Sequence, residues 1–131
     1  MREIVRDVTM SPLRKALPPA AQDIHEWSWD EGGLLAQDYD YVLKAKITQD
    51  EFDQYVRDLG LSPHTPTRQY SGGFQPDWDL SWLWRLDNNG VRPDWWSPST
   101  DVSGTYVYDG GSLWTYAKYE DGYLYLVSYN I

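Results

Sequence analysis

The sequence predicts an α+β fold: an antiparallel sheet of four to six strands with one main helix, about 49–59, packed on one face. Three observations predict it. Residues 38–47 alternate between large apolar and polar side chains, the period of a strand. Thr48-Gln49-Asp50-Glu51 is a capping box, and the apolar stripe behind it has the period of a helix. Asp121-Gly122 joins two strand-like runs by the shortest hairpin turn. At 131 residues the chain is long enough for one domain with its own core and too short for two of usual size, so 1–131 reads as a single domain.

Within an N-terminal segment, 1–17, Ser11 to Leu17 can form a short helix, with Ser11 as N-cap, Pro12 at the first helical position and Pro18-Pro19 as the stop. Gln22 to Trp29 reads as a strand carrying Ile24, Trp27 and Trp29, ended by the turn-like Asp30-Glu31-Gly32-Gly33. The next strand places Tyr39, Tyr41, Leu43, Ala45 and Ile47 on one face and Asp38, Asp40, Lys44 and Lys46 on the other, with Val42 as the exception. It is expected to be half-buried and to pair antiparallel with its predecessor.

In the helix, Phe52, Tyr55, Val56 and Leu59 fall at i, i+3, i+4 and i+7. Leu59 is the expected stability hot spot. Gly60 suits the left-handed position after the helix, and Pro63 blocks continuation. Residues 62–79 read as a long loop, Leu80 to Leu86 as a strand, and Asp87-Asn88-Asn89-Gly90 as a turn. The last third is a meander of three strands, 105–108, 112–119 and 123–129. A type I′ turn at Asp121-Gly122 sets Glu120 opposite Tyr123, Lys118 opposite Tyr125, Tyr116 opposite Val127 and Trp114 opposite Tyr129. Leu113, Ala117, Tyr119, Leu124 and Leu126 then face the helix. Trp114, Tyr116, Tyr125 and Tyr129 fall on the other side, a face too aromatic to be bare. Either a loop covers it, 66–98 with its own tryptophans, or a partner does.

Composition narrows the function classes. The chain has 8 Trp and 11 Tyr against 2 Phe, and rings with a polar handle are common at surfaces that meet something. It has no Cys, which excludes disulfides and thiol chemistry. The net charge is −9, with +2 in residues 1–15 and −11 in the rest. Such a field disfavours nucleic acid and anionic lipid and favours a basic protein as partner. No apolar run approaches a membrane span, and acids stand early in the chain where a secretory signal needs apolar residues, so the expected location is cytoplasmic.

No catalytic, metal or nucleotide motif is present, and neither an enzyme nor a cofactor is expected. His25 and His64 lack metal-ligand spacing with each other. Asp38-x-Asp40 and Asp77-x-Asp79 would each put two acids on one side of an extended chain, as a cation site or a glycosidase needs; in strands such pairs more often form a solvated face. The remaining candidate contacts are the adjacent Trp95 and Trp96, held between Pro93 and Pro98, where a stiff backbone presents large rings. In an extended stretch one ring points in and the other out. Trp95 is expected as the plug and Trp96 as the exposed ring.

The run Leu17-Pro18-Pro19-Ala20-Ala21-Gln22-Asp23-Ile24, the Tyr-rich strand, the helix ending Leu59-Gly60-Leu61, the Trp95-Trp96-Ser97-Pro98 segment and the Tyr119-Glu120-Asp121-Gly122-Tyr123-Leu124-Tyr125 hairpin together resemble a type of small uncharacterised bacterial domain. The resemblance implies that the "LP-small-small-x-x-I" segment enters an antiparallel sheet and that the "Y-x-x-G-x-x-Y" hairpin closes it. Such domains often follow a lipoprotein signal or membrane anchor. It implies no activity.

Three functions compete. The first is a non-enzymatic protein-interaction module, immunity- or inhibitor-like, using Trp95, Trp96, Trp114, Tyr116, Tyr125, Tyr129, Asp77 and Asp79 against a basic protein. The second is a small-ligand or carbohydrate-binding domain with the same rings as a platform. The third is a hydrolase built on an Asp pair.

Overall fold

The order of elements follows from the local signals just described, and the computed structural model realises them in residues 12–30, 39–70, 73–80, 93–110 and 113–130. They are α1 (Pro12–Lys15), β1 (Gln22–Asp30), β2 (Tyr39–Lys46), α2 (Gln49–Asp58), β3 (Ser62–Pro63), β4 (Tyr106–Gly110), β5 (Leu113–Glu120) and β6 (Tyr123–Asn130). The six strands form one antiparallel sheet in the order β1-β2-β6-β5-β4-β3. The expected α+β class is therefore observed. Among the described residues no helix is long and apolar enough to cross a membrane.

Helix α2 starts and stops as its sequence dictates. Thr48 Oγ1 accepts from Glu51 N at 3.1 Å and Glu51 Oε1 accepts from Thr48 N at 2.9 Å, so two orphan amides are satisfied reciprocally. At the other end Gly60 takes φ +74°, Leu61 N donates to Val56 O and Gly60 N to Arg57 O, a Schellman stop. Phe52, Tyr55 and Val56 bury against Leu43, Ala45, Ala117, Leu124 and Leu126, one of two cores. Leu59 is only half-buried, at the edge of that core, which corrects its expected place as the hot spot; it is the C-cap of the helix.

The hairpin register is as expected: Glu120 opposite Tyr123, Lys118 opposite Tyr125, Tyr116 opposite Val127, Trp114 opposite Tyr129. Asp121 and Gly122 both have positive φ, +55° and +85°, as a type I′ turn requires. Two strand expectations need correction. The 62–79 segment opens with β3, which pairs Ser62 and Pro63 with Val107 and Tyr106. From Asp40 to Leu43 β2 is buried on both faces, because it lies between β1 and β6 and both sides of the sheet are covered there; its end at Lys46 is exposed. Asp40 is thus 1% exposed and belongs to no solvated face. Asp38, the 81–86 part of the expected 80–86 strand and the 87–90 turn lie outside the described residues; Leu80 itself has φ +60° and is not in a strand.

The helix should therefore depend on Phe52, whose ring meets Tyr106 and Tyr119 at 5.7 and 5.6 Å. In chemical denaturation Phe52→Ala is expected to cost about 3–5 kcal/mol, well above Leu59→Ala. Thr48→Ala should lose ~1 kcal/mol with its cap. A larger loss for Leu59→Ala than for Phe52→Ala would mean that α2 packs differently.

Candidate functional site

The aromatic face of the sheet is roofed by irregular chain. Val42, Val107, Trp114, Tyr116, Tyr125 and Val127 rise from the strands, and Tyr70, Phe74, Trp78, Leu80 and Trp96 descend on them. Of the two coverings expected for this face, a loop or a partner, the loop is the one observed. Trp96, Trp114, Tyr116 and Tyr125 are each 5% exposed or less, so the expectation that they are contact residues is corrected: they are core. Tyr129 stays half-buried at the margin, edge-on to Trp114 at 5.6 Å. Burial, with the charges of Asp77 and Asp40 beyond it, pushes its phenol well above the ordinary value. Asp77 and Asp79 do not form an extended pair. Asp77 Oδ1 accepts from Asp79 N at 3.0 Å, so the first carboxylate serves its own turn.

A chain without ladder bonds must satisfy its backbone by other means. Here side chains of the sheet do it. Tyr116 Oη donates to Asp77 O at 2.6 Å, and Lys44 Nζ donates to Trp95 O at 3.0 Å. Lys118, 3% exposed, donates to Ser99 O at 2.7 Å and Asp101 O at 2.9 Å, and lies 5.0 Å from the Trp78 ring centre. Glu120 completes that clasp, pairing with Lys118 at 3.0 Å and accepting from Ser99 N and Oγ. Within the roof Trp78 Nε1 donates to Thr105 Oγ1.

These pins decide which tryptophan is buried, and they reverse the expectation. Trp96 N donates to Pro93 O, closing a turn that sends the Trp96 ring inward, 6.2 Å from Trp78 and 5.3 Å from Tyr125. Trp95, its carbonyl held by Lys44, is left half-exposed on the rim. The Trp96 indole N–H has no hydrogen-bond partner, the one such buried side-chain atom among the described residues.

The exposed rim is built at a defect in β1. Gln22 pairs with Lys46 and His25 with Lys44, so Asp23 and Ile24 together oppose Ala45: a β-bulge. Asp23 there takes φ +50°, a strained conformation for a residue with a side chain. Its carboxylate is held on both oxygens, by Tyr123 Oη at 2.6 Å and His25 Nε2 at 2.9 Å. That bond aims the imidazole at Trp95, where the rings stack at 5.3 Å and 19°. Lys44 lies under Tyr123, 4.6 Å from the ring centre. Trp95, His25, Tyr123 and Asp23 therefore form one fixed, half-exposed shelf with Lys44 beneath.

Sequence reasoning named Trp95 and missed the other four. The signal available was weak: His25 and Asp23 are spaced i, i+2, which places them side by side in a strand. Their partner Tyr123 is 100 residues away. The shelf is polar enough to orient a bound group, but it holds no third ligand for a cation; among the described residues no cluster of three His, Cys, Asp or Glu could hold a metal. No family model, curated protein or solved structure is significantly similar to the chain.

Hydrogen bonds from Tyr123 and His25 hold the Asp23 carboxyl below the usual carboxylate range. The stabilisation this gives is present above the unfolded-state value and is lost as pH falls through the lower folded-state value. Tyr123→Phe removes the larger of the two causes, so the Asp23 titration, followed by carboxyl carbon NMR, should move up toward 3.8. An unmoved midpoint would show that the Tyr123 bond does not form in solution.

Proposed function

We propose that the protein is a non-enzymatic interaction module that meets a basic protein partner through the Trp95 shelf. One observation carries the reading: a large half-exposed ring fixed by a cation on its carbonyl and a stacked imidazole on its face. A ring already immobilised loses little entropy when engaged, and Trp is the residue most often found at the energetic centre of interfaces. The net charge of −9 supplies steering for a basic partner, and the exposed Asp94 adjoins the shelf. A sugar ligand is the competing reading, because a ring face beside a carboxylate also suits a pyranose.

The test uses the full chain as bait. Trp95→Ala should leave the melting temperature nearly unchanged, while Trp96→Ala should cost about 3–5 kcal/mol as a core truncation. A basic protein captured by the wild type should be lost by Trp95→Ala, and its association should slow as salt rises. Undiminished capture by Trp95→Ala contradicts the shelf. A glycan bound in place of any protein, and lost by the same variant, transfers the reading to the sugar.

A further inference from the structure

On the opposite face of the sheet from the shelf, α2 and the turn after α1 enclose a groove of about 370 Å³, within the ~300–1,000 Å³ typical of ligand clefts. Its helix wall is Glu51, Gln54, Tyr55 and Asp58, which share one face at i, i+3, i+4 and i+7. Its other wall is Ala16, Leu17, Pro18 and Pro19, with Lys15 at one end.

The floor and the walls differ in chemistry. Tyr55 is buried beneath the groove and its hydroxyl is committed to Leu13 O at 2.8 Å, so it offers an incoming segment no polar group. Pro18 and Pro19 have no N–H to present, and their backbone is stiff. Glu51 uses Oε1 on Thr48 N, and Asp58 uses Oδ1 on Gln54. Each carboxylate keeps a second oxygen for an incoming donor. The helix as a whole carries Asp50, Glu51, Asp53 and Asp58 against Arg57 alone.

We propose that this groove seats a basic segment of a partner protein in polyproline II conformation, with Arg or Lys at positions i and i+3. The spacing selects the conformation. Seven helical residues separate Glu51 from Asp58, a rise of about 10 Å. A polyproline II strand has three residues per turn at ~3.1 Å each, so side chains at i and i+3 lie on one side about 9 Å apart. A strand would put the same two residues on opposite sides. The intervening apolar residue lies on Leu17 and Ala16, and the two cations reach the carboxylates at either end. The conformation is already restricted in a Pro-containing segment, so ordering it on the groove costs little. The proposal shares with the shelf reading only the basic character of the partner.

The probe is the blocked peptide acetyl-Pro-Arg-Pro-Leu-Arg-Pro-amide, titrated into the full chain and followed by amide NMR. Shifts should cluster on Glu51, Gln54, Tyr55, Asp58, Ala16 and Leu17. The double variant E51Q/D58N keeps the cap and the Gln54 acceptor and should bind at least fivefold more weakly. The charge-matched D50N/D53N, off the groove, should bind nearly as wild type, and so should a Trp95→Ala chain. A peptide with its two arginines adjacent should bind more weakly than the probe. Equal weakening by D50N/D53N, shifts scattered over the acidic surface, or no binding at millimolar peptide overturns the groove. Trp95→Ala tests the shelf separately, because the groove does not include it.

Discussion

The architecture depends on one constraint: a sheet buried on both faces, of which only one is covered by a helix. On the α2 side the roof satisfies its own backbone, so its rings and aliphatics need only fit. On the other side the roof is irregular chain, and every buried peptide group in it must find a donor or acceptor elsewhere. The strands beneath supply these from side chains that are large, mostly apolar and tipped with one polar atom. Tyr116, Trp78, Lys44 and Lys118 each add contact area and a hydrogen bond to the roof or within it. That is a physical reason for a chain with 8 Trp, 11 Tyr and 2 Phe. A Phe in place of Tyr116 would fill the same volume and leave Asp77 O without its donor.

The same constraint separates core from surface. Aromatic excess at first reading points to a contact face, yet most of the described rings are consumed in covering the sheet. What reaches solvent lies outside it: Tyr108 is exposed, and Trp95, His25, Tyr123 and Tyr129 are among the rings left part-exposed around a closed interior. The strained bulge at Asp23 is tolerated because its carboxylate is bonded twice, and those bonds in turn fix His25 against Trp95. The shelf and the roof thus share the Lys44 contact, and a partner that engaged Trp95 would bear on a residue already anchored to the sheet.

Much of the fold was legible because its signals are local. The Thr48–Glu51 box, the Gly60 stop and the Asp121-Gly122 turn each lie within a few residues, and each set a boundary or a register that the structure keeps. The choice between Trp95 and Trp96 was not legible. It is made by Lys44, 51 residues away, and by a turn closed onto Pro93. Periodicity also misjudged Asp40 as solvated, since a polar side chain in a strand looks the same whether its face meets water or a roof. The shelf was hidden for the same reason: Asp23 and Tyr123 meet only once the sheet has formed.

The claim that polar handles hold the roof is tested most directly by Tyr116→Phe. The substitution keeps the ring, its burial and its contacts with Trp78 and Phe74, and deletes one hydroxyl. Equilibrium unfolding should show a loss of about 1–3 kcal/mol, with amide exchange rising first in residues 74–80 and 93–101 and the α2 side unchanged. Unchanged or increased stability, with exchange in the roof unaffected, would contradict the account and reduce the tyrosine hydroxyls to passengers on a hydrophobic core.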